Sequence, residues 1–69
     1  MGLFWTDVHA IGEIIYDRFP DLDPLGIRFT DLHQWVREIP QFEDDPDRCG
    51  EKVLEAIQMA WLSEWKEDH

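Results

Sequence analysis

Cysteine and positive charge are both scarce in this chain. Its 69 residues hold one cysteine, Cys49, and 6 Lys and Arg against 16 Asp and Glu, a formal net charge of -10. One thiol cannot close an internal disulfide, which excludes a secreted disulfide scaffold and leads us to expect a reducing cytoplasm. So few cations exclude the basic footprint that DNA or RNA binding requires, and the same repulsion works against anionic lipid. No apolar run approaches the length of a membrane span. Met1 to Asp7 lacks the basic start and long apolar stretch of a signal peptide. Gly2 and Thr6 match the crude myristoylation spacing, but an acyl chain on so acidic a surface would lack a basic second signal. One cysteine and three well-separated histidines do not supply the ligand set of a zinc or cluster site.

What is present is a core. Hydrophobic residues make up 43% of the chain, and four Trp, four Phe and one Tyr supply large volumes. High charge with few hydrophobes would indicate disorder. High charge with this aromatic content indicates a folded domain with a charged exterior. The length allows one domain, residues 1–69, with a marginal core, because a chain this short buries only roughly 60% of its unfolded surface.

Three helices are expected. Thr6 suits an N-cap, Asp7 favours the positive helix end, and Pro20 stops the helix after Phe19. Val8, Ile11, Ile15 and Phe19 share one side of that helix, with Gly12 between them, and His9, Glu13 and Asp17 share the other. In the turn from Pro20 to Gly26, Asp23 can cap a single helical turn with Pro24 at its first position. Ile27-Arg28-Phe29 reads as a short extended edge strand. Thr30-Asp31 caps a second helix from Asp31 to Ile39, with Leu32, Trp35, Val36 and Ile39 inward and Pro40 ending it. His33 is most simply a surface or capping residue. Gln41 to Gly50 is a loop anchored by Phe42. A third helix from Glu51 to Lys66 has an apolar arc of Val53, Leu54, Ala56, Ile57, Ala60, Trp61 and Trp65. Met59 lies opposite that arc and Leu62 at its margin; each either packs against a loop or helps form a partner surface, and packing is the plainer reading for both. The fold class is therefore a mostly α, small three-helix domain in which the second and third helices can pack in a helix-turn-helix or winged-helix manner.

The acids are the candidate functional groups. Glu13 and Asp17, four residues apart, are neighbours on the exposed face of the first helix, where like charges cost a few tenths of a kcal/mol. With Asp21 and Asp23 they can share an open, hydrated site for hard cations such as ferrous iron, weak and labile because carboxylates and water are its only ligands. A solvated helix face is the plainer reading of the same residues. The loop run Glu43-Asp44-Asp45 is a second acidic element. An EF-hand loop starting at Asp21 fails, because Leu25 and Leu32 occupy the fifth and twelfth positions where oxygen ligands are needed. A second start at Asp45 fails at Cys49 and Ala56. Cys49 has no catalytic setting in Asp47, Arg48 and Gly50, and is read as an incidental loop cysteine. No nucleophile–base–orienter constellation points to an enzyme.

The strings Trp5-Thr6-Asp7, Ile11-Gly12-Glu13, Tyr16-Asp17 and Pro20-Asp21-Leu22-Asp23-Pro24 are followed by Arg28-Phe29-Thr30-Asp31-Leu32-His33-Gln34-Trp35. Glu51-Lys52-Val53-Leu54-Glu55-Ala56-Ile57 and Trp61-Leu62 complete the series. Together these resemble the IscX family, also called YfhJ, of the bacterial iron–sulfur cluster assembly system, from about Leu3 to Glu64. The resemblance implies a modified winged-helix fold. It implies an adaptor and regulator, not a catalyst, that binds the cysteine desulfurase IscS through an acidic surface, in competition with bacterial frataxin and ferredoxin. It also implies weak binding of ferrous iron through exposed carboxylates, with iron donation as a further role. Carried over by position, the partner-binding acids are Asp7, Glu13, Asp17, Asp21 and Asp23, joined by Glu43, Asp44 and Asp45. Glu13, Asp17, Asp21 and Asp23 are the candidate iron ligands. Asp31, and in part Asp7, have local helix-start roles. Phe4 and Leu25 depart from the family pattern, where more polar residues are expected. The protein is expected to be a monomer. The alternative is an acidic interaction module, transcription-related or a nucleic-acid mimic, that binds another basic protein.

Overall fold

The first helix, α1, spans Val8–Arg18. The protein is seen here as a computed structural model that describes residues 2–48 and 50–68, so Cys49 and the final residue of the tail, His69, lie outside the described residues. The N-cap position falls on Asp7, one residue later than Thr6. Its carboxylate does not turn into the helix; it accepts the Phe4 N–H at 2.9 Å and so closes the turn before it. At the other end the Phe19 N–H still bonds to the Ile15 carbonyl at 3.0 Å. Pro20 then stops the helix, since it has no N–H and pushes the residue before it out of helical geometry.

The turn forms as its residues dictate. The Asp23 carboxylate accepts the Leu25 N–H at 2.9 Å and caps a 3₁₀ turn over Pro24–Gly26, with Pro24 in the first position. Ile27 and Arg28 have extended dihedrals. They are not an edge strand: no strand forms among the described residues, and Phe29 already belongs to the next helix. That helix, α2, spans Phe29–Arg37 and starts two residues before Asp31. The Leu32 N–H reaches the Arg28 carbonyl at 3.0 Å, which draws Phe29 into the first turn and leaves Thr30 inside the helix rather than at its cap. Asp31 keeps a favourable place near the positive helix end. Ile39 lies beyond the helix but stays buried.

The third helix, α3, spans Glu51–Asp68, two residues past Lys66. A short 3₁₀ turn over Pro46–Arg48, not expected from the sequence, precedes it. Leu54, Ile57, Ala60, Trp61 and Leu62 are buried, so Leu62 joins the core. Ala56 leaves the expected apolar arc and is exposed. Met59 also stays in solvent rather than packing against a loop, at 59% exposure.

The three helices meet around Trp5, Ile11, Ile15, Leu32, Val36, Ile39, Leu54, Ile57 and Trp61. Helices α1 and α3 touch most closely at Gly12, where an added Cβ would sit 2.9 Å from both the Ala60 Cβ and the Trp61 backbone N. Trp35 ties α2 to both neighbours, with ring centroids 4.6 Å from Phe19 and 6.3 Å from Trp61. The N-terminal segment is clasped to the loop. Leu3 forms a parallel bridge with Phe42, donating to the Gln41 carbonyl at 2.7 Å and accepting from the Glu43 N–H at 2.9 Å. Phe42 packs against the core, as its place in the loop predicted.

Candidate functional site

The eight candidate carboxylates divide by what their oxygens already hold. In the clasp they hold backbone. Asp44 accepts the Trp5 N–H at 3.0 Å through one oxygen and the Asp45 N–H at 2.7 Å through the other. Asp45 accepts the Asp47 N–H at 2.9 Å, and its carbonyl accepts the Trp5 indole N–H at 2.7 Å. Asp7 holds the Phe4 N–H in the same region. Much of the Asp44-Asp45 run therefore organises its own loop around Trp5.

These bonds act on the Asp44 proton equilibrium. The Trp5 N–H first and then the Asp45 N–H hold its carboxyl below the ordinary value of 3.8; desolvation opposes them, and the charge of Arg48 adds a lesser lowering. A depressed folded-state value contributes stability that is complete above the unfolded value and is lost as the pH falls through the folded one. Thermal melts of the protein and of Asp44→Asn, recorded from neutral pH down through about pH 4 and below, test this. The natural protein should lose more melting temperature on acidification than the variant. Parallel profiles would mean that the Asp44 latch adds nothing to stability.

The other group points to solvent. Glu13 and Asp17 are exposed on α1, and Asp21 and Asp23 are exposed in the turn that follows. Only Asp23 of these four spends an oxygen on backbone, in capping the 3₁₀ turn. Glu43 is exposed as well, its carboxylate filling the space that a Cβ on Gly2 would occupy. Among the described residues no three His, Cys, Asp or Glu side chains come together as a metal-holding group. The four carboxylates from Glu13 to Asp23 thus line one helix face and its following turn without closing around a point. Such an arrangement can attract cations over an extended surface, with water completing the shell of any ion it holds.

Two features escaped the sequence reading. Trp5 is 4% exposed and sits at the centre of the clasp, in T-shaped contact with Phe42 at 4.6 Å. His33 is half-buried rather than a plain surface residue and stacks on the Trp5 ring at 5.6 Å with 14° between planes. An aromatic at position 5 beside an acidic loop forty residues away had no periodic signal to reveal it. Beside His33 a polar groove lined by Thr30, Gln34, Arg37 and Glu38 runs along the outer face of α2.

Comparison with known proteins places the chain in a family. A family model described as iron-sulphur cluster assembly matches residues 3–66. An uncharacterized protein of Pseudomonas aeruginosa, PA3808, is 53% identical over 64 residues, covering 93% of this chain and 97% of that protein.

Proposed function

The chain belongs to the iron–sulphur cluster assembly family known as IscX or YfhJ, and on that membership we propose that it is an acidic adaptor and regulator that binds the cysteine desulfurase IscS. The family match over nearly the whole chain carries the proposal. The exposure of Glu13, Asp17, Asp21 and Asp23 supports it, because these charges are presented to solvent. Asp7, Glu43, Asp44 and Asp45 add a second acidic contact on the clasp. The protein acts as an accessory rather than an enzyme, as a monomer in the cytoplasm; among the described residues no helix is long and apolar enough to cross a membrane.

Ferrous iron enters this reading as cargo. The donors from Glu13 to Asp23 are hard oxygens, which suit it. Frataxin and ferredoxin would compete for the same basic region of the desulfurase.

Binding to purified IscS should weaken steeply as salt rises, as steered ionic interfaces do. The variant Glu13→Gln/Asp17→Asn/Asp21→Asn/Asp23→Asn should lose binding while its helical circular dichroism stays unchanged, since Asn still caps the 3₁₀ turn. Undiminished affinity in that variant would remove the acidic-face assignment. NMR titrations with IscS and with ferrous iron should perturb overlapping residues on α1 and the turn. Separate sets would mean that the two ligands bind together.

A further inference from the structure

The most exposed large hydrophobic side chains of the domain are Leu25, at 64%, and Met59, at 59%. They stand on different elements that are fastened together. The 3₁₀ turn Pro24–Gly26 packs on α3, and the Gln58 side-chain amide donates to the Pro24 carbonyl at 2.8 Å. Leu25 follows one member of that hydrogen-bonded pair in the chain and Met59 follows the other. Ala56, one turn before Met59, is exposed too. Asp23 fixes the Leu25 backbone by its cap, so the leucine is held out at a set angle rather than carried on a loose loop. Asp21 and Asp23 lie four and two residues before Leu25 in the chain, Glu55 lies one turn before Met59 on α3, and all three are exposed.

We propose that Leu25 and Met59 form the apolar centre of the protein's docking face, which seats in an apolar recess rimmed by Lys and Arg on a partner protein. Interfaces of this kind place apolar anchors at the centre and charge at the rim, with the rim guiding encounter and the centre slowing escape. Charge selects the occupant. A second copy of this chain would bring another net charge of -10 against the same carboxylates, whereas a basic protein surface complements them. The proposal rests on the reading given above for the partner's identity, and adds an anchor to it.

The test is binding kinetics on immobilised IscS, at low and high salt, for the natural protein and for Leu25→Ser/Met59→Ser. Circular dichroism melts serve as the folding control, and neither side chain belongs to the core. The double variant should dissociate about tenfold faster or more, with its association rate and salt dependence unchanged. Any residual binding of the four-carboxylate variant should show the reverse, slow association and a flattened salt dependence. Dissociation within about twofold of the natural protein overturns the anchor and leaves the adaptor reading standing. Failure of the natural protein to bind IscS at any salt overturns both. Sedimentation that shows a dimer dispersed by Leu25→Ser/Met59→Ser assigns the patch to a second copy and also overturns the proposal.

Discussion

Replacing Trp5 with alanine is expected to remove a large share of the domain's stability. Removing a buried tryptophan costs about 3–5 kcal/mol. The loss of the indole N–H bond to the Asp45 carbonyl adds about 1 kcal/mol. Folded domains are stable by only ~0.05–0.15 kcal/mol per residue, about 3–10 kcal/mol for a chain of 69 residues, so the loss takes a large share of the total. The effect should spread into the acidic loop, because the Trp5 ring also supports Phe42 and His33. Trp5→Phe separates the contributions: it keeps an aromatic ring and the backbone bond to Asp44 but gives up the indole donor. Chemical denaturation followed by circular dichroism measures both variants. A Trp5→Ala protein that melts within a few degrees of the natural one would show that the clasp is ornamental.

Gly12→Ala is the second large effect, and its direction is the informative part. In a helix interior alanine is favoured over glycine by about 1 kcal/mol, so an unhindered site would gain stability. At Gly12 the new Cβ would meet the Ala60 Cβ and the Trp61 backbone N, both at 2.9 Å, and the Ala60 carbonyl carbon at 3.1 Å. Two of those three atoms are main chain of α3 and cannot swing aside. Overpacking of this kind costs about 1–3 kcal/mol, so α1 and α3 are forced apart and the net change is destabilising. Each kcal/mol lowers the melting temperature of a domain this small by about 4–8 °C. Adding Ala60→Gly removes only one of the three contacts and itself costs about 1 kcal/mol in a helix interior, so it should not restore the natural stability. A Gly12→Ala protein that melts above the natural one would contradict the close approach of the two helices.

The helices were legible because their signals are local. Apolar spacing placed Ile11, Ile15, Leu32, Val36, Ile57 and Trp61 inside, and all six are buried. Pro20 marked the end of α1, Asp23-Pro24 announced its own capped turn, and α2 stops at Arg37, two residues short of the end that Pro40 suggested. The start of α2 was misread because Thr30-Asp31 is a strong cap pattern, while Phe29 gains more by turning inward against the core. The edge strand at Ile27 was misread for a related reason: extended dihedrals are a local property, and a strand also needs a partner. Met59 was expected to pack against a loop, and no sequence pattern shows whether a loop reaches the outer side of a helix. The clasp was illegible for the same reason, since its hydrogen bonds join positions 39 and 40 residues apart. For the candidate site, the sequence identified the acids but not their division of labour. Whether a carboxylate such as Asp44 faces solvent or backbone depends on where distant chain segments meet.

The pairing of α1 with α3 also bears on how the protein is made. During synthesis α1 leaves the ribosome with Ile11 and Ile15 bare, and its partner follows only after a turn, another helix and a loop. The clasp at Trp5 waits in the same way for Asp44 and Asp45. No early portion of the chain can bury a core of its own, so folding comes as one late event. Until then the acidic residues already exposed on the nascent chain, Glu13 to Asp23, give like-charged neighbours on a polysome a reason to stay apart.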